Sequence, residues 1–378
     1  MKKKICVVAS APGGITSFWK TNIERLSEQF DVYVVANYQE ETVFDSLKIK
    51  GGKSVNILRR PSLWSMVKAV FALRNYFKQE QFDGFISMSL NASLISAVAG
   101  WMAGIPFRAR IFTGQLWANK TGISRTFYKM LDKITVCLNN HFLVDGKSQQ
   151  EYLIENGILK EGQSIVLANG SICGVDVNLF KPSEEKREEE RERLGFDDSD
   201  VVFTFMGRIN REKGTYELLE AFNRLSREYK NAVLLLIGNV EGISEDTFKD
   251  YQYIYLGKNL ILYGYTKQPY YALQAGDVFC LPSYREGFGM SVIEAAALGL
   301  PVIASDAYGL RDSFVDGETG LKCKVKDVDT LYTAMLELYN NPDKRVTYGQ
   351  SGRERVVEMF SKELVSNAWL NYFLQNIQ

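Results

Sequence analysis

Ser283-Tyr284-Arg285-Glu286-Gly287-Phe288-Gly289-Met290-Ser291-Val292-Ile293-Glu294-Ala295 decides how this chain is read. The apolar run Val278-Phe279-Cys280-Leu281-Pro282 leads in, and the small-residue segment Ser291 to Leu298 leads out. The order is therefore strand, glycine turn, helix. Such a helix start presents unbonded backbone N–H groups and the positive end of the helix dipole, a combination that suits phosphate. Glu286 and Glu294 lie eight residues apart. A carboxylate repels phosphate but accepts hydrogen bonds from sugar hydroxyls. Glu294 is therefore expected to hold a ribose and Glu286 another hydroxylated group. The plain alternative is a common glycine turn with an incidental glutamate pair, so the rest of the chain has to decide.

Outward from this stretch, short apolar runs alternate with helical segments. Toward the N-terminus the expected strands are Ile5–Ala9, Asp31–Ala36, Val55–Leu58, Gly84–Met88, Arg108–Phe112, Phe142–Val144 and Ile165–Leu167. Between them lie expected helices at Thr16–Gln29, Leu63–Lys78, Ala92–Met102, Ser124–Cys137 and Ser148–Asn156. The alternation restarts with strands at Val201–Met206, Ala232–Ile237, Leu260–Tyr263, Val278–Leu281 and Pro301–Ser305, and a helix at Thr215–Tyr229. This pattern predicts α/β architecture, with parallel sheets covered by helices on both faces. Turn-rich Asn169-Gly170-Ser171-Ile172-Cys173-Gly174-Val175-Asp176 separates the two halves. The charge block Glu184 to Arg193 that follows reads as a solvated helix or linker face.

The length of 378 residues fits two domains, and 46% hydrophobic with 24% charged residues fits a globular enzyme. Five scattered cysteines without metal-ligand spacing read as buried thiols in a reducing cytosol. The one histidine, His141, argues against a zinc site or a Ser/His triad. It opens a strand, at the sheet edge away from a ligand, and is expected to be structural. The basic start Met1-Lys2-Lys3-Lys4 precedes an apolar run too short for a signal segment and reads as a first strand. Leu90 to Phe107 is broken by Ser93, Ser96, Gly100 and Gly104 and reads as a buried helix rather than a membrane span. The charge is uneven: residues 1–165 carry a net +8 and residues 166–378 a net −8. A basic first half fits an anionic partner, a membrane surface or a pyrophosphate-linked lipid; no motif supports nucleic acid.

Four further stretches carry candidate chemistry. Arg208 and Lys213 sit in a strand-to-helix loop, where two cations could neutralise a diphosphate as a bond to it breaks. Gly13 and Gly14 follow the first strand and let backbone approach a ligand. They are not the dinucleotide-binding Gly-x-Gly-x-x-Gly pattern. Phe112-Thr113-Gly114-Gln115-Leu116-Trp117 is expected to be an acceptor or donor-sugar loop through Thr113, Gln115 and Trp117, the alternative being a packed loop with Trp117 in the core. Helix Leu63–Lys78, after Arg59 and Arg60, carries Trp64, Val67, Val70, Phe71 and Phe77 beside Lys68, Arg74 and Lys78. It reads either as a membrane-surface helix or as a Rossmann helix with a basic solvated face. Asp198-Ser199-Asp200 and Asp327-Val328-Asp329 lie away from the ligand edge and are assigned no metal.

Taken together, Gly207-Arg208…Lys213-Gly214, Glu286-Gly287-Phe288-Gly289…Glu294-Ala295, Gly299-Leu300-Pro301-Val302-Ile303-Ala304 and Gly317-Glu318-Thr319-Gly320 resemble glycosyltransferase family 4. Asn169-Gly170…Gly174-Val175-Asp176…Phe180 is similar to that family's interdomain segment. Phe112–Trp117 and Val144-Asp145-Gly146-Lys147-Ser148 resemble enzymes that build bacterial capsule or O-antigen repeats. The resemblance implies the retaining GT-B arrangement, two Rossmann-like domains facing across a cleft. Residues 1–168, with 362–378 packing back on them, would bind the acceptor, and residues 169–361 the nucleotide-sugar donor. By the same resemblance Arg208 and Lys213 bind the donor diphosphate, Glu294 the ribose and Glu286 the donor sugar. Gly207, Gly287, Phe288, Gly289, Met290 and Ser291 would face the phosphates or sugar. Gly13 and Gly14 would close over them. Apart from the resemblance, Tyr263 and Tyr265, at the end of an expected strand, are expected to flank the base. Many members carry a histidine in the loop that here reads Thr113-Gly114-Gln115, so that histidine's role does not transfer, and His141 is no substitute.

The implied reaction moves a hexose or N-acetylhexosamine from a UDP-sugar to a polyprenyl-diphosphate-linked saccharide at the cytoplasmic membrane face. No cofactor or metal is expected. The rival readings are a GT-B-shaped nucleotide-sugar epimerase, which needs no acceptor, and a non-catalytic sugar-nucleotide-binding protein.

Overall fold

The computed structural model describes residues 2–58 and 62–377, so Arg59 and Arg60 lie outside the described residues. Two compact units emerge. One runs to Gly174 and takes in the chain from Lys362 onward; the other is Val175–Ser361.

The first unit is built on seven parallel strands: β1 (Lys4–Val8), β2 (Asp31–Ala36), β3 (Gly51–Ser54), β4 (Gly84–Ser87), β5 (Phe107–Phe112), β6 (His141–Val144) and β7 (Ile165–Val166). Their order across the sheet is β3-β2-β1-β4-β5-β6-β7. Its helices are α1 (Pro12–Phe18), α2 (Lys20–Leu26), α3 (Leu63–Glu80), α4 (Leu90–Ala103), α5 (Gly122–Leu138) and α6 (Lys147–Glu155).

The second unit has six parallel strands: β8 (Val201–Met206), β9 (Ala232–Ile237), β10 (Leu260–Gly264), β11 (Val278–Leu281), β12 (Val302–Ser305) and β13 (Gly320–Cys323). Their order is β10-β9-β8-β11-β12-β13. Around it lie α7 (Glu184–Leu194), α8 (Thr215–Glu228), α9 (Pro269–Ala272), α10 (Met290–Ala297), α11 (Val328–Asn340) and α12 (Pro342–Met359). The last helix, α13 (Lys362–Asn376), packs on α2 of the first unit, with Trp369 and Trp19 rings 4.8 Å apart.

The unbroken apolar runs explain the parallel sheets. Val202–Phe205 and all of Ala232–Ile237 are buried, as strands covered on both faces require. The sheet order reverses direction between β9-β8 and β8-β11, and the loops after β8 and β11 leave from the same C-terminal edge. In such sheets that switch point forms a crevice for ligands.

Several expectations need correction. Val55–Leu58 is not a strand. β3 comes earlier, at Gly51–Ser54, where it pairs with Tyr33–Ala36, and the apolar residues after it feed the core as an irregular segment. Thr16–Gln29 is two helices meeting at Trp19, whose ring is fully buried. The charge block is a helix but not simply a solvated one. Arg191 is buried and donates to the carbonyls of Ala275, Asp197 and Asp200, while Arg187 pairs with Asp277 at 2.6 Å. A run of charges hid two arginines whose fixed donor forks tie α7 to the strand ends. Of the cysteines only Cys6, Cys280 and Cys323 are buried; Cys137 is exposed and Cys173 partly so.

Candidate active site

The loops after β8 and β11 meet. Tyr284 donates its backbone N–H to the carbonyl of Glu212 at 2.9 Å, and Arg285 pairs with Glu212 at 3.0 Å. Asn210 caps the short turn at Arg211–Lys213 by accepting from the Lys213 N–H at 3.1 Å. Gly214 then turns left-handed with φ 73°, and a Cβ there would collide with the Pro282 carbonyl. The glycine thus lets the two loops touch.

This closeness delivers Lys213 to Glu286. Their side chains form a short ion pair, both mostly buried. Ser283 donates its hydroxyl to the same Glu286 oxygen at 2.7 Å. Glu286 is therefore held by a cation on one strand's loop and a hydroxyl three residues upstream on its own. Charge-assisted bonds of this kind fix a carboxylate closely.

Gly287, Phe288 and Gly289 lead from there into α10. Gly289 is its N-cap, with φ 84°, and a side chain would strike Leu310. Phe288 points inward onto Phe360, ring centroids 5.2 Å apart, so the loop is anchored beneath while its backbone stays partly open. Met290 and Ser291 form the first positions of the helix. Glu294 follows Met290 by four residues, on the same helical stripe. It is half-buried, and burial pushes its carboxyl up to about 7. Among the described residues no hydrogen bond or ion pair engages it. A half-buried carboxyl without a partner, one turn inside a helix whose first N–H groups are free of side-chain caps, is equipped to accept from a diol beside a bound anion.

Arg208 follows Gly207 in the same loop as Lys213, but its guanidinium goes elsewhere. It pairs with Glu241, on the loop after β9, at 3.2 Å, and both side chains are well exposed. Lys213 and Glu286 are brought together; the Arg208 head is not part of that contact. Tyr263 lies on the edge strand β10, its ring against Arg193 at 4.9 Å, with burial pushing its hydroxyl up to about 12. Tyr265 is 68% exposed just beyond the strand.

In the first unit Gly13 and Gly14 lie in the first turn of α1 rather than in a loop, with open space where a Gly13 side chain would be. The loop after β5 corrects the expectation for Trp117 and Gln115. Trp117 is fully buried, gives its indole N–H to Asp132 at 2.6 Å and stacks on Tyr152. Gln115 is buried too; only Thr113 of the three is exposed. An acceptor therefore cannot meet Trp117 or Gln115 in this conformation. His141 bonds Tyr372 of α13 through Nδ1 at 2.9 Å, and burial lowers its pKa.

Ser283, Glu241 and Asn210 were not singled out by sequence reasoning. Ser283, three residues before Glu286 on a turn, was the one with a readable signal. Glu241 is 33 residues from Arg208, and nothing local announces it.

Two parallel α/β units give the chain the GT-B fold, and the proteins it is similar to make it a glycosyltransferase. Residues 186–355 match the family Glycosyl transferases group 1. The chain is 27% identical over 341 residues to the capsular polysaccharide biosynthesis glycosyltransferase CapM of Staphylococcus aureus, covering 89% of this chain and 88% of that one. It is 23% identical to UDP-Gal:alpha-D-GlcNAc-diphosphoundecaprenol alpha-1,3-galactosyltransferase of Escherichia coli, over 89% of this chain and 86% of that one. Among solved structures, Anabaena Alr3699/HepE in complex with UDP superposes with a TM-score of 0.80 at 18% identity, over 99% of this chain and all of that one.

Proposed function

We propose that this glycosyltransferase moves a hexose or N-acetylhexosamine from a UDP-sugar to a polyprenyl-diphosphate-linked saccharide, with retention at the anomeric carbon. It would work at the cytoplasmic face of the membrane, in the assembly of a bacterial surface polysaccharide such as a capsule or O-antigen. The observation that carries the reading is the meeting of Lys213 and Glu286 beside the glycine turn that opens α10, with unpartnered Glu294 one turn further on. The names of the two relatives, one capsular and one acting on a diphosphoundecaprenol-linked sugar, support the acceptor class. The UDP complex on a like fold supports the donor class.

In this reading the diphosphate lies over the N–H groups of Gly287 to Met290 and the first turn of α10, while Glu294 accepts from the ribose hydroxyls. Lys213 carries the charge that builds on the leaving phosphate. Arg208, on its longer and exposed side chain, swings from Glu241 to the same oxygens. Glu286, steadied by Ser283, accepts from the donor sugar. The acceptor hydroxyl attacks the face from which the diphosphate departs, so the leaving phosphate oxygen takes its proton and no protein base is required. The protein contributes position and fixed positive charge, which act where charge develops and so lower the barrier more than the ground state. Arg208 and Lys213 fill the charge-neutralising role, so the reading invokes no metal.

The test is UDP release from UDP-glucose, UDP-galactose and their N-acetylamino counterparts, with and without a polyprenyl-diphosphate-linked sugar. Acceptor-dependent release, with a product of retained anomeric configuration by NMR, is expected. UDP-sugar consumed equally without acceptor overturns the reading in favour of an epimerase. A donor at a hundred times its dissociation constant should raise stability by about 2.7 kcal/mol, which a thermal shift reads; such a shift without turnover on any acceptor overturns catalysis in favour of a binding protein.

A further inference from the structure

Helix α5 is built inside out. Its buried residues are Asp132 and Thr135, both polar, whereas Ile123, Phe127, Met130 and Ile134 are exposed, Ile123 to 90%. These four recur at spacings of four, three and four, so they form one outward stripe. A helix on a water-facing surface normally turns such a stripe inward. Here the polar face is locked inward instead. Arg110 of β5, itself buried, pairs with Asp132 at 2.5 Å and bonds Thr135, and Trp117 donates to the second Asp132 oxygen. A buried ion pair adds little net stability, but it fixes orientation, because turning the helix would strand a buried charge.

The flanks of the stripe are basic. Lys120, Arg125, Lys129 and Lys133 lie on or just before the helix, against one acid, the sequestered Asp132. The same surface continues beyond α5. Helix α4 packs against both α5 and α3, and it exposes Trp101. Helix α3 exposes Leu63, Trp64, Val67 and Phe71 beside Lys68. Between α3 and α4 runs a groove of about 330 Å³ with wholly apolar walls, among them Met66, Val70, Leu94 and Met102. Among the described residues no helix is long and apolar enough to cross a membrane.

We propose that the α3–α4–α5 face of the first unit lies on an anionic lipid surface, with the α5 stripe seated among the acyl chains and the exposed Lys133 and Lys68 at the headgroups. The occupant is a bilayer rather than a protein partner because large apolar tips exposed on three separate helices lie beside exposed cations of two of them, Lys68 on α3 and Lys133 on α5. That composition matches an interface apolar within and anionic at its rim. The proposal rests on the lipid-linked acceptor class proposed above, and it assigns the anchor chiefly to α5 rather than to α3.

The test is flotation of the full chain with vesicles of phosphatidylcholine alone and of equimolar phosphatidylcholine and phosphatidylglycerol. It needs no sugar nucleotide, so it is independent of whether transfer is observed. Binding to the anionic vesicles is expected, weakened by salt. The triple variant Ile123→Ser, Phe127→Ser, Met130→Ser should lose on the order of tenfold or more of that binding. Lys133→Glu should lose a smaller part, and only on anionic vesicles. All four side chains are exposed, so unchanged circular dichroism and melting are expected; if the triple variant is misfolded, the Lys133→Glu result and its salt dependence decide alone. Transfer to a water-soluble short-chain acceptor should be the same for wild type and variants. Undiminished flotation of the folded triple variant overturns the proposal. So does a wild-type dimer that ignores vesicles and becomes monomeric in the triple variant, which would make the face a contact between two copies.

Discussion

The loops after β5 and β11 leave comparable edges of two parallel sheets, and both are rich in polar and aromatic residues, yet they use them in opposite ways. After β11, the mostly buried Glu286 is held by Lys213 and Ser283 of the loops themselves, and the aromatic Phe288 is the residue that turns into the core. After β5, Gln115 and Trp117 both turn inward, and the polar handle of the indole is spent on Asp132. The difference lies in what waits underneath. Below the first loop sits a buried arginine–aspartate pair that needs a further donor. Below the second sits Phe360, on which Phe288 packs, and the carboxylate is left to Lys213 and Ser283. A side chain's chemistry offers a role; the unpaired groups beneath it decide whether the role is structural.

The largest effect that would break this contrast is on stability. Trp117→Ala removes a fully buried indole and one bond to Asp132, so it should cost about 3–5 kcal/mol, measured by urea unfolding. Trp117→Phe should recover part of that and leave the Asp132 oxygen one donor short. If Trp117→Ala melts like wild type but fails to transfer sugar, the indole meets a ligand after all and the contrast is wrong.

Lys213→Ala should behave in the reverse manner. Turnover with UDP-sugar is expected to fall about a hundredfold to a thousandfold, or 2.7–4 kcal/mol of barrier, the scale for removing one fixed donor from a developing anion. Unfolding should move by about 1 kcal/mol or less, because Glu286 keeps its bond from Ser283. Ser283→Ala separates the two partners of that carboxylate: a rise in donor KM with little change in melting is expected, and unchanged kinetics would show that the lysine alone positions it.

The parts of this molecule that could be read from the sequence are those where one residue type answers one requirement. Gly289 and Gly214 carry positive φ at contacts no side chain could enter, so their spacing from Glu286 and Lys213 was legible. The buried runs of β8, β9 and β11 needed no context either. What stayed hidden depends on partners distant in sequence. Arg208 and Glu241 are 33 residues apart, and Arg187 and Asp277 are 90 apart. The α7 charge block read as solvated for this reason, and α5 offered a helical period without saying which face would be outward. Val55–Leu58 failed differently: a β-branched apolar run is needed by the core whether or not it joins the sheet, while the glycines of β3 do join it.

Two acids sharpen the comparison through pH. Glu294 in the second unit is raised to about 7 and Asp145, 4% exposed at the end of β6, to about 8, in both cases by burial of the charged form. An acid with a raised folded pKa costs no stability while it is protonated in both states. The cost appears as pH climbs past the unfolded value and is complete above the folded one. Wild-type stability should therefore decline between about pH 4.5 and 7 on account of Glu294. Glu294→Gln removes that decline, so the variant should match wild type near pH 4 and exceed it near pH 8 by on the order of 3 kcal/mol. Asp145→Asn should show the same sign with its window extended toward pH 8, but only Glu294→Gln should also weaken UDP binding. Equal loss of UDP affinity in both variants would erase the distinction between an open acid and a sealed one.

The smallest effect belongs to Thr113, the one exposed member of the β5 loop's expected trio. No hydrogen bond engages its hydroxyl among the described residues, so Thr113→Ala should leave unfolding within about 0.5 kcal/mol of wild type. If the loop is structural throughout, acceptor KM and kcat should stay within a factor of about two. A tenfold rise in acceptor KM with unchanged donor KM, equivalent to about 1.4 kcal/mol, would return the loop to the acceptor through this one residue. That outcome would narrow the contrast without removing it, because Trp117 and Gln115 would then act as the buried footing that holds Thr113 out toward the substrate.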